Sequence, residues 1–173
     1  MTPPTESSDT ACKIMDAAER RIRSSGYNGF SFRDIAADVG VKSSSVHHHF
    51  PTKPALAAAV ARRYTDRFEA ALAQAKSARD WRNVFRKALI EDGQICLCGV
   101  LGAESADLPP EVLAEAQRFF KRNLEALGQL YGPRSAASRQ SALHVMATLE
   151  GAMMLARTLN DPKVFDDATR NLD

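Results

Sequence analysis

Two short apolar stripes on either side of a single glycine constrain this chain more than any other feature of its sequence. Ser31 is followed three residues later by Asp34, which is the spacing of a helix capping box, and the stripe after it ends at Gly40. A second short helix is predicted over residues 43–49 and stops at Pro51. Two short helices joined by a tight turn that contains glycine are typical of a helix-turn-helix motif.

The second of these helices carries the polar run SSSVHHHFPTK, residues 43–53. When Val46 and Phe50 face the core, the side chains left to project outward are Lys42, Ser43, Ser44, Ser45, His47 and His48. Hydroxyls, imidazoles and an ammonium group suit close approach to base edges and phosphates in the DNA major groove. The alternative is an exposed polar helix face without a partner.

Three consecutive histidines also raise the question of a metal site. Adjacent residues on a helix point about 100° apart, so His47, His48 and His49 cannot converge on one ion. An i, i+4 pair of histidines is absent. We therefore expect neither a metal here nor a cofactor elsewhere.

Positive charge is concentrated near the start of the chain. The total net charge is +2, but residues 12–64 carry nine Lys or Arg against four Asp or Glu, a local net charge of +5. A basic segment on a nearly neutral chain favours an anionic partner such as DNA. We assign the electrostatic part of DNA binding to Arg33, Lys42 and Lys53.

The remaining composition indicates an all-α globular protein of 173 residues, with 45% hydrophobic and 7% aromatic residues. The sequence shows neither an apolar run long enough to cross a membrane nor a secretory signal, so we expect a cytoplasmic protein with reduced thiols. It also has no nucleophile elbow, phosphate-binding glycine loop or zinc-protease motif, and we expect no enzymatic activity. A helical interaction or ligand-sensor protein that does not bind DNA is the alternative function.

The segment IMDAAERRIRSSGYNGFSFRDIAADVGVKSSSVHHHFPTKPALAAAV resembles the N-terminal DNA-binding region of the TetR family of transcriptional regulators. The resemblance implies a repressor that binds a palindromic operator as a dimer and is released by a small-molecule inducer or electrophile. It also implies that Thr52 and Lys53 hold a phosphate at the start of the helix that follows Pro51. The family usually has Leu-Tyr where this chain has Val46-His47, so His47 replaces a tyrosine that packs on the DNA backbone.

The domain division that we predict has three parts: a disordered lead over residues 1–10, a helix-turn-helix domain over 11–56 and a ligand-binding and dimerisation domain over 57–173. Helix 4 is predicted to run from Lys53 to about Lys76, and Asp80 to cap a fifth helix. A later helix opens at Pro109-Pro110. Its predicted inward stripe is Leu113, Ala116, Phe120, Leu124, Leu127 and Tyr131.

Regulators of this family need a cavity among their central helices. The candidate lining residues are Trp81, Phe85, Cys96, Leu101, Phe119, Phe120 and Met146. The alternative for each of them is ordinary core packing.

The segment from residue 136 to 158 is apolar on two faces, so one face is expected to meet a second subunit. A last helix follows Asp161-Pro162. These two helices resemble the pair that forms the dimer interface in the family. The candidate interface residues are Leu143, Ala147, Gly151, Met154, Thr158 and Phe165.

Cys96 and Cys98 lie two residues apart in CLCGVLGAE. On a helix the two side chains would point in nearly opposite directions, so they would not form an unstrained disulfide with each other. The surrounding stretch is similar to the NemR-like and AcuR-like branch, which responds to electrophiles and acrylate. One reactive thiol and two buried packing residues are therefore both open, with Cys96 slightly favoured as the reactive one.

Overall fold

The computed structural model describes residues 4–91 and 93–172, and over these residues the chain is built from α-helices without a strand. A short 3-10 helix, Tyr27–Gly29, separates the first two helices. The α-helices are α1 Pro4–Ser25, α2 Phe32–Val39, α3 Ser43–His49, α4 Lys53–Ala71, α5 Ala78–Glu91, α6 Leu97–Ala103, α7 Pro110–Leu130, α8 Ala136–Leu159 and α9 Lys163–Ala168.

The helix-turn-helix predicted from the sequence is confirmed at its boundaries. The backbone N–H of Ser31 donates to Asp34 Oδ2 at 2.8 Å, and the Ser31 hydroxyl accepts from the Asp34 N–H, so the capping box is complete. Gly40 ends α2 in the left-handed conformation, with φ of 75°. That conformation costs little for glycine and turns the chain sharply into α3.

Helix α4 joins the helix-turn-helix to the rest of the molecule. Towards α1, Arg63 bonds Asp16 at 2.7 Å and Arg67 bonds Glu19 at 2.6 Å. Towards α7, Arg62 Nε donates to Glu115 at 2.9 Å. Helix α4 therefore packs both on α1, beside the helix-turn-helix, and on α7, in the second half of the chain.

The second half of the chain is a helical bundle in which α7 and α8 pack on each other, α6 packs on α7, and α5 and α9 both pack on α8. Within its core, Trp81 Nε1 donates to Asn123 Oδ1 at 3.0 Å. None of the helices in the described residues is long and apolar enough to span a membrane.

Three sequence predictions differ from the structure. The expected disordered lead is helical from Pro4 onward, and residues 1–3 lie outside the described residues. Helix α4 ends at Ala71, five residues before the predicted end, because the chain must turn to start α5. Asp80 stands inside the first turn of α5 rather than before it, and its carboxylate accepts from the N–H groups of Lys76 and Ser77 at 2.8 and 3.0 Å.

The inward stripe of α7 is also rotated from the predicted one. The buried residues of this helix are Val112, Glu115, Ala116, Phe119, Asn123 and Leu127. Leu113, Phe120 and Leu124 are half-buried, and Tyr131 is exposed. The rotation arises because α7 is contacted by α4 on one side and by α6 and α8 on another, so no single stripe accounts for its packing.

Candidate nucleic-acid interface and ligand cavity

Helix α3 presents a polar face at one end of the molecule. Val46 is fully buried and anchors the helix, while Phe50 is half-buried. The predicted DNA-contacting residues that are exposed are Arg33, Lys42, Ser43, Ser44, His47, His48 and Thr52. Ser45 and Lys53 are half-buried. Most of this set is therefore accessible to a partner, along α3 and at the starts of α2 and α4.

The rings of the three histidines make different contacts. The His47 ring packs edge-on against Phe32 with centroids 4.6 Å apart, and the His48 and His49 rings meet at 5.5 Å. In the part of the chain that the structure describes, no three metal-ligating side chains come together.

The start of α4 holds its hydroxyl and its ammonium group in place. Thr52 Oγ1 accepts from the Ala55 N–H at 3.2 Å and caps the helix. Lys53 Nζ lies 4.6 Å from the Tyr27 ring centroid and 4.7 Å from that of Phe30, both within cation–π range. Partial burial lowers the pKa of Lys53, and the nearby carboxylates of Glu104 and Asp34 act in the opposite direction. The two rings therefore contact the ammonium group of the first residue of α4.

A cavity of about 680 Å³ lies between α6, α7 and α8. Its walls are mostly apolar and include Phe120, Leu124 and three methionines, Met146, Met153 and Met154. Volume and lining both fall in the range typical of small-molecule sites. Leu143, Ala147 and Met154 line the cavity and are also exposed, so it opens on the outer face of α8.

Glu150 places a carboxyl group in this apolar wall. Its Oε1 is buried and has no hydrogen-bond partner among the described residues. Its Oε2 lies against Gly99, so closely that a β-carbon at position 99 would overlap it. Burial raises the pKa of Glu150 to about 7, while a hydrogen bond with Cys96 acts in the opposite direction.

Glu104 connects the cavity to the helix-turn-helix. It lies at the end of α6, lines the cavity, and its Oε2 accepts from the backbone N–H of Tyr27 at 2.8 Å. Gly26, with φ of 75°, leaves room for the carboxylate, because a β-carbon there would overlap it. Tyr27 is one of the two aromatic residues that hold Lys53, so Glu104 and Tyr27 join the cavity wall to a predicted phosphate-binding residue.

The two cysteines are placed differently from the sequence expectation of a shared helix. Cys96 precedes α6 as its N-cap, and its Sγ accepts from the Gly99 N–H at 3.3 Å, whereas Cys98 lies in the first turn. Both are buried, but only Cys96 lines the cavity. Burial raises the pKa of each thiol well above its ordinary value, and the negative charge of Glu150 adds to the effect.

Of the predicted cavity residues, Cys96, Phe120 and Met146 line the cavity. Leu101 and Phe119 are fully buried in the packed core instead, and Trp81 and Phe85 lie outside the lining. For α7 the difference follows from its rotation, which turns Phe119 towards Tyr64 and Phe68 and leaves Phe120 at the cavity.

The sequence interpretation missed Glu104 and Glu150. A usable signal existed for Glu150, because it is the one carboxylate within the apolar segment ALHVMATLEGAMMLA, residues 142–156.

Helix α8 is apolar on both sides, as its sequence predicts. Val145, Leu149, Ala152 and Ala156 are buried within the subunit. Among the predicted interface residues, Leu143, Ala147, Met154 and Thr158 are exposed and Gly151 is half-buried. Leu155 and Leu159 extend this face and are 52% and 62% exposed. The prediction for Phe165 was wrong, because this residue is fully buried within its own chain and is not available to a partner.

A helix-turn-helix joined to an all-helical bundle is an architecture typical of DNA-binding transcriptional regulators. Residues 14–60 match the sequence profile of bacterial regulatory proteins of the tetR family. Over these residues the chain has the DNA-binding domain of the TetR family of transcriptional regulators.

Solved structures share this fold over nearly the whole chain. A TetR-family regulator from Agrobacterium tumefaciens is 28% identical, with 95% of each chain covered and a TM-score of 0.88. A TetR regulator from Legionella pneumophila is 29% identical over 93% of this chain and 94% of that one, with a TM-score of 0.84. Reduced NemR from E. coli is 20% identical, covers 95% of each chain and has a TM-score of 0.78, which is a likeness of fold alone. No curated protein sequence matches the chain.

Proposed function

We propose that this protein is a ligand-responsive repressor that binds a pseudo-palindromic operator as a homodimer. The observation that carries the proposal is the exposed polar face of α3, continued by Thr52 and the ring-held Lys53. In this arrangement α3 enters the major groove, Ser44 and Ser45 read base edges, and Lys42, Lys53 and Arg33 bind phosphates. His47 and His48 contact the backbone beside them.

The dimer is proposed to form through the outer face of α8. Leu143, Met154, Leu155 and Leu159 are large apolar side chains exposed on one helix, and Ala147 and Gly151 between them allow a second helix to approach closely. The same face surrounds the mouth of the cavity, so a partner subunit would cover that opening.

Release from DNA is proposed to follow from a ligand in the cavity. A ligand that favours one position of α6 and α7 shifts α4 through the Arg62–Glu115 pair and Tyr27 through Glu104. Both displacements change the spacing of the two α3 helices. The ligand can shift this equilibrium only by its difference in affinity for the two conformations, about 1–3 kcal/mol in typical cases.

Reversible binding is favoured over thiol modification as the trigger. Only the thiolate reacts quickly with electrophiles, and burial raises the pKa of both Cys96 and Cys98.

Selection from a pool of randomised duplex DNA tests the DNA-binding proposal. We expect the wild-type protein to enrich a pseudo-palindrome, Ser44→Ala to alter the enriched half-site, and His47→Ala to keep the sequence with weaker binding. If the wild type enriched no sequence, α3 would not be the helix that recognises base edges. The same conclusion would follow if the wild type and Ser44→Ala enriched the same consensus.

A further inference from the structure

The ionisable side chains that line the cavity are acidic. Its described lining contains two carboxylic acids, Glu104 and Glu150, and the Cys96 thiol, but no Lys, Arg or His. A carboxylate placed in an apolar wall repels anions and favours a cation or a hydrogen-bond donor. The charge therefore restricts the chemistry of the ligand more sharply than the size of the cavity does.

Glu150 is only partly paired inside the protein, by a hydrogen bond with the Cys96 thiol. Its buried Oε1 accepts no hydrogen bond from the described residues, although buried carboxylate oxygens are normally bonded. No basic side chain contributes to its pKa, which burial raises to about 7. A buried carboxyl oxygen without a hydrogen bond is costly, and a ligand that supplies a positive charge or an N–H donor removes the cost.

The other walls of the cavity suit the body of such a ligand. Phe120 presents an aromatic ring, and Met146, Met153 and Met154 present polarisable thioethers that adapt to flat or irregular apolar groups. A volume of about 680 Å³ accommodates a drug-sized molecule.

From these observations we propose that the cavity binds an apolar organic cation, such as a hydrophobic amine, with its positive group paired to Glu150. The inference rests on the proposed ligand-binding function and specifies the chemical class of the ligand. Because Glu104 lies in the same wall and holds Tyr27, a cation that also reaches Glu104 competes with the Tyr27 N–H for its carboxylate. Cation binding would thereby loosen the contact between α6 and the helix-turn-helix.

The test compares three probes that share one aromatic frame: naphthylmethylamine, naphthylmethanol and naphthoate. Binding to the full-length protein is measured by isothermal titration calorimetry without DNA at about pH 8, where Glu150 is ionised and the amine protonated. We expect the amine to bind at least about tenfold more tightly than the alcohol, and naphthoate to bind most weakly.

Two variants test whether the preference for the amine over the alcohol depends on Glu150. Glu150→Gln should bring the amine and the alcohol to within about threefold of each other, because it removes the charge at nearly constant shape. Glu125→Gln, on the solvent-facing side of α7, should keep the wild-type preference. The comparison in the wild type stands by itself even if Glu150→Gln folds poorly, which circular dichroism would reveal.

Each result is decisive. Equal or tighter binding of naphthoate, or an amine preference that survives in folded Glu150→Gln, would overturn the inference. If none of the three probes bound, the inference would be wrong and the proposed ligand cavity would lose its support. Because DNA is absent from the titration, DNA binding would be judged separately.

Discussion

Lys53 combines charge with a fixed position. Its ammonium group lies over the rings of Tyr27 and Phe30 at the start of α4. Lys53→Ala should weaken binding to every duplex and reduce the slope of log affinity against log salt by about one for each phosphate that a subunit no longer neutralises. Fluorescence anisotropy at several salt concentrations measures both effects. The matched control is Lys121→Ala, at an exposed position of α7. An unchanged slope would show that Lys53 does not bind a phosphate.

Burial of Glu150 should make the free energy of unfolding fall as pH rises. Its pKa is raised from 4.5 to about 7 in the folded protein, so the unfolded chain loses its proton first as pH rises. The folded state is therefore penalised progressively between these two values, by up to about 3 kcal/mol above pH 7. Glu150→Gln should match the wild type near pH 4.5 and be more stable near pH 8.

Urea unfolding at equal protein concentrations measures this difference. A variant that is less stable than the wild type at the higher pH would show that contacts of the ionised carboxylate in the folded protein outweigh the cost of burying it.

At the scale of elements, α6 connects the cavity to the helix-turn-helix through one carboxylate. Glu104→Ala removes the hydrogen bond to the Tyr27 N–H, a charge-assisted bond of about 1.5–3 kcal/mol. The ratio of DNA dissociation constants with and without saturating naphthylmethylamine should fall towards one. Asp107→Ala, exposed just beyond α6, should keep the wild-type ratio. An unchanged ratio in Glu104→Ala would mean that the signal passes through α4 alone.

The cysteines at the start of α6 should react slowly. Cys12 is exposed and serves as an internal reference, whereas Cys96 and Cys98 are buried with raised pKa values. During treatment with N-ethylmaleimide, mass spectrometry should find Cys12 modified well before the other two, with DNA binding retained. Modification of Cys96 at the rate of Cys12, with a release of DNA that the Cys96→Ser variant prevents, would instead support covalent sensing.

The elements differ in how much of them could be predicted from the sequence. Capping residues and glycines act locally, which is why the bounds of α2 and α3 follow from Ser31, Asp34 and Gly40. The face that α7 buries depends on α4, α6 and α8 together, so its own periodicity was insufficient. Likewise the cavity position of Glu150 arises from close approach to Gly99, a contact between residues far apart in sequence.

At the scale of the whole molecule, two surfaces on different helices are proposed to act together. The polar face of α3 would bind one half-site, and the exposed apolar face of α8 would bring a second copy into position. Each half of this arrangement needs the other, because a single short helix in one groove gives little affinity or specificity.

Hydroxyl-radical footprinting of the selected operator tests this central claim most directly. We expect two protected segments related by two-fold symmetry, with centres separated by about one helical turn of DNA, roughly 34 Å, or a multiple of it. Protection should disappear from both segments together when naphthylmethylamine is added as the ligand of the cavity. A single protected segment, or uniform weak protection along the duplex, would contradict a dimer that reads two half-sites.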